Sequence, residues 1–256
     1  MITLSLRRLL LVLPLLLVMA GCGRRSGPAP IGPDVLFQRG MSAFQAGDHS
    51  RAIRDLDAFL QSHAGDPRAP RARLTLGRAR MARRDYLLAA GDFTRLLNDF
   101  PQDTLGRDAR LGLCESYRSL SPAPARDQQY TSAAIAYCES FAGIHPGTPD
   151  AARATEWVRE LRTKLAQKAY DAGMFYFRRG AYDAGVVYFQ ETVDQYADTP
   201  VAPAALLRLV ESYERIGYRE EAQEARTRLL RDFPQSAEAR SLQTGGSTGG
   251  TETPKG

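Results

Sequence analysis

Small and apolar residues recur at helical spacing along most of the chain, in stretches broken by Gly, Pro and Asp. The longest stretch is 150–178, DAARATEWVRELRTKLAQKAYDAGMFYFR, which has no proline. Trp157, Leu161, Leu165, Ala169 and Phe175 follow a helical period there. Thr148 suits an N-cap and Pro149 a first helical residue, so one long helix is predicted from that point. Asp66-Pro67 and Thr199-Pro200 are start signals of the same kind. Pro122 and Pro124 exclude helix from the middle of 119–129. No alternating stretch rich in Val, Ile and Thr competes, so the pattern predicts an all-α chain. One phrase returns: LLNDFPQD at 96–103 and LLRDFPQS at 229–236. In it Leu97 and Leu230 are expected to pack inward, Phe100 and Phe233 to seal a helix end, and Pro101 and Pro234 to stop the helix.

A returning phrase points to repeated structural units, which make surface for partners more readily than catalytic pockets. The chain resembles tetratricopeptide repeats, helix–turn–helix units of about 34 residues with small residues where the paired helices touch. Unit one carries Gly40, Gly47, Ala52 and Leu56 at the matching positions, and unit two Gly77, Ala89, Phe93 and Pro101. Unit three carries Cys114, Tyr117, Ala134, Cys138 and Pro146. Unit four carries Gly173, Gly180, Gly185 and Phe189, and unit five Tyr213, Gly217, Ala222, Leu229 and Pro234. The small second-helix residues Ala52, Ala89, Ala134, Gly185 and Ala222 are separated by 37, 45, 51 and 37 residues. Two joints are therefore irregular: an insertion at 119–129 lengthens the turn of unit three, and extra helix precedes unit four. The expected fold is a right-handed α-solenoid of five helix pairs. Units one to three span 34–147, the long helix with units four and five spans 148–242, and 243–256 is a disordered tail.

The N-terminus, MITLSLRRLLLVLPLLLVMAGC, has a basic pair, a short apolar run and small residues before a cysteine. Residues 1–21 read as a secretory signal, too short to span a bilayer. Met19-Ala20-Gly21-Cys22 resembles a bacterial lipobox, which implies that Cys22 carries the lipid. Gly23 follows, where Asp would retain such a protein in the inner membrane, so the outer membrane is implied. Residues 22–33 read as a lipidated flexible tether. The net charge of +5 shrinks to +1 over residues 34–242, so nucleic-acid binding is not indicated.

Cys114 and Cys138 face each other across the two helices of unit three in the repeat alignment. A disulfide stapling that unit is predicted, with two buried thiols as the alternative. His49, His63 and His145 lie near turns of different units and form no metal-ligand spacing, so neither metal nor cofactor is expected. GGSTG in the tail has no strand or helix around it and is not a nucleophile elbow. No enzyme is indicated. Aromatics crowd unit four: Tyr170, Phe175, Tyr176, Phe177, Tyr182, Tyr188 and Phe189. Packing between repeats and a protein-docking face are both open to them.

Lipobox, short tether, five slightly long repeats and two irregular joints together resemble the BamD family, lipoproteins of the outer-membrane β-barrel assembly machinery. The segment LAQKAYDAGMFYFRRGAYDAGVVYFQETVDQYADTP at 165–200 resembles that family's fourth repeat, and DVLFQRGMSAFQAGDHSRAI its first. The resemblance implies an adaptor anchored to the membrane by lipid and facing the periplasm. It implies that units four and five hold a BamA-like barrel protein through its POTRA region, with Tyr176, Arg179, Tyr182 and Tyr188 as candidate docking residues. It implies that units one to three engage unfolded barrel precursors. The inward positions of the repeat alignment make Phe37, Met41, Phe44, Arg78, Met81 and Arg118 the candidate groove, with apolar pockets for an aromatic strand end and an arginine for its carboxylate. The array and anchor also fit another repeat lipoprotein, such as a pilotin-like factor for a secretin or pilus.

Overall fold

The computed structural model describes residues 31–245. The signal, Cys22 and most of the tether and tail lie outside them. Among the described residues there are eleven helices and no strand. They are α1 Pro33–Gln45, α2 His49–Ser62, α3 Ala69–Ala82, α4 Tyr86–Asp99, α5 Gly106–Leu120, α6 Gln129–Ile144, α7 Pro149–Phe177, α8 Tyr182–Gln195, α9 Ala202–Ile216, α10 Arg219–Asp232 and α11 Ala237–Gly245. Each packs on its neighbour in the chain. The first helices of successive units (α1, α3, α5, α7 and α9) also touch one another. The result is an α-solenoid of five helix pairs with α11 as a cap, its Ala239 and Leu242 packed on the last core. Gln243–Gly245, expected in a disordered tail, complete this helix.

Glycine lets the paired helices approach. A Cβ on Gly77 would lie 2.5 Å from the ring of Phe93, and one on Gly112 would lie 2.6 Å from the same ring. Phe93 therefore joins unit two internally and to unit three at once. Turns within four of the five pairs share one geometry. In each, an amide donates five residues back: Asp48 to Ala43, Asp85 to Arg80, Ala181 to Tyr176 and Tyr218 to Tyr213. The turn needs a left-handed residue, and Gly47, Gly180 and Gly217 supply it. In unit two Arg84 takes that place at φ 65°.

The repeated phrase closes α4 and α10. Phe100 and Phe233 are the C-caps. The wholly buried leucines are Leu96 and Leu229, while Leu97 and Leu230 are only partly buried. Leu97 and Leu230 pack against the core as expected, but the residues that fill it are their neighbours Leu96 and Leu229. The cap breaks helical geometry at the phenylalanine, and the leucine four residues earlier, whose carbonyl accepts the cap amide, is the one directed into the core.

In unit three the turn is replaced by the loop 121–128, and Gln128 organises it from within. Its amide nitrogen donates to the carbonyls of Ala123 at 2.8 Å, Pro124 at 3.2 Å and Arg126 at 3.0 Å, and its oxygen accepts from Thr131 at 2.6 Å. Lys164 and Lys168 of α7 reach across to Ser121 Oγ at 2.7 Å and the Arg126 carbonyl at 2.9 Å. α7 starts at Pro149, with the Thr148 hydroxyl accepting from the Ala151 amide at 3.2 Å. Its 29 residues span about 43 Å. Ala154, Trp157 and Val158 pack on the unit-three core, and Tyr170 and Met174 on the core that holds Phe189 and Val193. One uninterrupted helix thus belongs to two units.

Candidate groove and docking face

A cavity of about 400 Å³ opens on the first-helix side of units one to three. Met41, Phe44 and Gln45 come from α1, Arg71, Leu74, Thr75 and Arg78 from α3, and Leu105 and Asp108 from the start of α5. Three of the six groove residues expected from sequence meet here: Met41, Phe44 and Arg78. Phe37 does not. It is buried with Leu56, Phe59 and Leu76, its ring 5.5 Å from that of Phe59, so it is core and not groove. Met81 lies beyond the cavity, packed on the Leu74–Leu113 core, with the Ser116 hydroxyl 3.1 Å from its sulfur. Arg118 is elsewhere too: its guanidinium stacks 4.9 Å from the Trp157 ring and meets Glu160 at 3.0 Å.

The arginines of the cavity differ in what they have left to offer. Arg78 is paired with Asp108 at 2.7 Å. Arg71 is exposed, lines the same cavity, and has no carboxylate partner among the described residues. Sequence reasoning missed it. The signal was present as one helical stripe, Arg71, Leu74, Thr75 and Arg78, at spacings of three, one and three.

Units one and two are also joined by a charge cluster that is buried at one end. Arg80 meets Asp57 of α2 and Asp92 of α4, each at 2.8 Å. Asp92 is 2% exposed. Burial raises its carboxyl to about 6, outweighing the attraction of Arg80. Arg73 and Arg95 also favour the charged form, and Asp57 opposes it.

The unit-four aromatics divide. Tyr176 and Tyr188 stack at 5.5 Å with an 8° interplanar angle. Phe175 meets Tyr176 edge-on at 5.2 Å, and the Arg179 guanidinium lies 3.6 Å from the Phe175 ring centre. Phe175 is 49% exposed, so these four residues present an open aromatic face with one cation; Val187, next to Tyr188 in the chain, is 63% exposed. Charge repulsion from the Tyr176 phenol, with a hydrogen bond to it, holds the Tyr188 phenol above its ordinary value. Tyr182 is not part of that face. It packs on Phe177 at 5.3 Å, with Arg215 of α9 at 5.9 Å. Phe189 is wholly buried.

Cys114 and Cys138 are bonded to each other in the structure, with Cα atoms 4.7 Å apart and both residues wholly buried. Cys22 lies outside the described residues. Among the described residues no helix is long and apolar enough to cross a membrane.

Helix pairs stacked on one another around a shared open side define the molecule as a tetratricopeptide-type α-solenoid, a class that presents surface to other chains. A tetratricopeptide repeat protein of Bacteroides fragilis is similar in structure at 14% identity, covering 84% of this chain and 97% of that one, with a TM-score of 0.46. The model of the YfiO family, described as outer membrane lipoprotein, matches residues 31–229, and the chain belongs to that family. Relatives include the outer membrane protein assembly factor BamD of Caulobacter vibrioides, 26% identical over 84% of this chain and 72% of that protein. BamD of Rickettsia prowazekii is 25% identical over 86% of this chain and 88% of that protein.

Proposed function

We propose that this chain is the lipoprotein adaptor of an outer-membrane β-barrel assembly complex, held to the outer membrane through Cys22 and facing the periplasm. It works by binding and not by catalysis. Unfolded barrel precursors enter the cavity of units one to three, and a BamA-like protein is held through its POTRA region on the unit-four face of Phe175, Tyr176, Arg179, Val187 and Tyr188. The observation that carries this reading is the pairing, in one chain of this family, of an apolar-floored cavity that keeps a free arginine with a separate exposed aromatic face. A strand end supplies the complement of the cavity: an aromatic side chain for Met41, Phe44 and Leu74, and a terminal carboxylate for Arg71.

Peptide binding tests it. A barrel C-terminal peptide ending in Phe is expected to bind the chain, and Arg71→Glu to weaken it about tenfold or more, the loss of one charge-assisted pair plus a repulsion. Amidating the peptide's carboxylate removes that difference. If Arg71→Glu and amidation both leave affinity unchanged, the cavity is not the precursor site. Co-purification from solubilised outer membranes tests the partner, and recovery of a secretin in place of a BamA-like protein would favour a pilotin-like role.

A further inference from the structure

The third unit departs from its neighbours at one position, and the departure is chemical. In units one, two and four the closest contact between paired helices sets a glycine against a large side chain: Gly40 against Leu56, Gly77 against Phe93, Gly173 against Phe189. A Cβ on any of these glycines would lie within 2.7 Å of that side chain. Each pair is separated by sixteen residues. At the same place unit three has Cys114 and Cys138, separated by 24 because the inserted loop falls between them. Neither is large. The surrounding core is thin: Phe141, Ala154 and Val158 are the other buried members. Unit three thus lacks the packed ring that closes units two and four, has a longer turn to close, and carries a covalent bond where the ring would be. Unit three also joins the cavity to α7 and the docking face.

Both cysteines are 0% exposed in the folded chain. No oxidant reaches them once the unit has closed, so the bond must form while the chain is still open. Three cysteines are present in all, and if Cys22 is lipid-linked, as the proposed function holds, only one intramolecular pairing remains. Such a chain needs an oxidant and has no wrong pairing to repair.

We propose that this chain is a client of a thiol–disulfide oxidase of the cell envelope, which joins Cys114 to Cys138 before unit three closes, and that it makes no use of a disulfide isomerase. A thiolate of the chain attacks the oxidase disulfide and displaces one enzyme thiolate. The second thiolate of the chain attacks the resulting mixed disulfide and releases the enzyme. Two electrons and two protons end on the oxidase as its dithiol, and the chain keeps the new S–S bond.

The full chain with its own signal is expressed in strains lacking either the envelope thiol oxidase or the isomerase, and acid-quenched, denatured samples are labelled with a thiol-reactive polymer. In the oxidase-deficient strain both thiols are expected to label and the amount of chain to fall several-fold. Loss of the isomerase is expected to change neither. A complete disulfide without the oxidase overturns the proposal, as does loss of the disulfide with the isomerase alone. The double variant Cys114→Gly with Cys138→Phe restores the contact of units two and four, and is expected to accumulate equally in both strains. Dependence of that variant on the oxidase would overturn the packing argument. Should it not accumulate at all, labelling of the unaltered chain decides. None of these readouts involves a precursor or a BamA-like partner, so they stand or fall apart from the adaptor role.

Discussion

Arg84 sits where three other turns place glycine, and its backbone is left-handed at φ 65°. A Cβ in that region meets the following carbonyl and costs energy that glycine does not. Arg84→Gly is therefore expected to stabilise the chain by about 0.5–1 kcal/mol, after allowing for glycine's freer unfolded state, read as a higher urea midpoint. Asp92 acts at the same scale through pH. Its folded carboxyl titrates near 6 against an ordinary 3.8, so the folded chain takes up this proton before the unfolded chain does. The contribution of Asp92 to stability consequently rises as pH falls from about 6 to about 4. Asp66 has the opposite sign: hydrogen bonds from Arg68 hold it at about 2, so its stabilisation is lost only as pH falls below about 4. Thermal midpoints of the chain minus those of Asp92→Asn should increase between pH 7 and pH 4. A flat difference would show that Asp92 has an ordinary carboxyl.

Among elements, loop 121–128 and helix α7 act together. Gln128 shares its two amide hydrogens among three carbonyls, and Lys164 and Lys168 tie the same loop to the middle of α7. Burial and the nearby Arg118 charge depress the Lys164 ammonium. Gln128→Ala strips the loop of its internal donor and is expected to cost about 1–2 kcal/mol. Amide exchange should locate the damage in 121–128 and the facing part of α7, with units one and five unaffected. The disulfide spans this loop, and closing a segment of that length in the unfolded chain stabilises by about 3 kcal/mol.

At the scale of the whole molecule the two candidate surfaces lie at opposite ends of α7's reach. The cavity belongs to α1, α3 and α5, and the aromatic face to α7 and α8. They share no residue. Val187→Asp places a charge on the exposed residue beside Tyr188 while sparing the buried Phe189, so it should abolish binding of a BamA-like POTRA fragment and leave peptide affinity intact. Arg71→Glu should do the reverse. Paired pull-down and peptide titrations on both variants check this, and a variant that damages both activities would mean that the surfaces are one site.

The all-α architecture, five pairs and two irregular joints were legible because they rest on local rules: helical period, caps, prolines and small residues at fixed intervals. Thr148-Pro149 starts α7 whatever surrounds it. The candidate site was legible only in part. Phe37 and Phe44 are both aromatic and lie on one helix seven residues apart, yet one is core and the other lines the cavity. Seven residues return to nearly the same face of a helix, so only the neighbouring helices decide between them: Phe37 is closed in by Leu56, Phe59 and Leu76, while Phe44, packed on one side against Ala52, Ala79 and the His49 ring, stays partly open to the cavity. Arg78 and Arg118 looked equivalent, but their partners come from other units, Asp108 and Glu160, so which arginine stays free was decided across 30 to 42 residues of chain. Tyr182 packs apart from the Tyr176–Tyr188 stack for the same reason: its neighbour Arg215 comes from the next unit. The sequence by itself determined the units and their order, because a helix is set by contacts within a turn or two. Tertiary structure alone decided which faces stay open, because burial depends on what the rest of the chain brings against them.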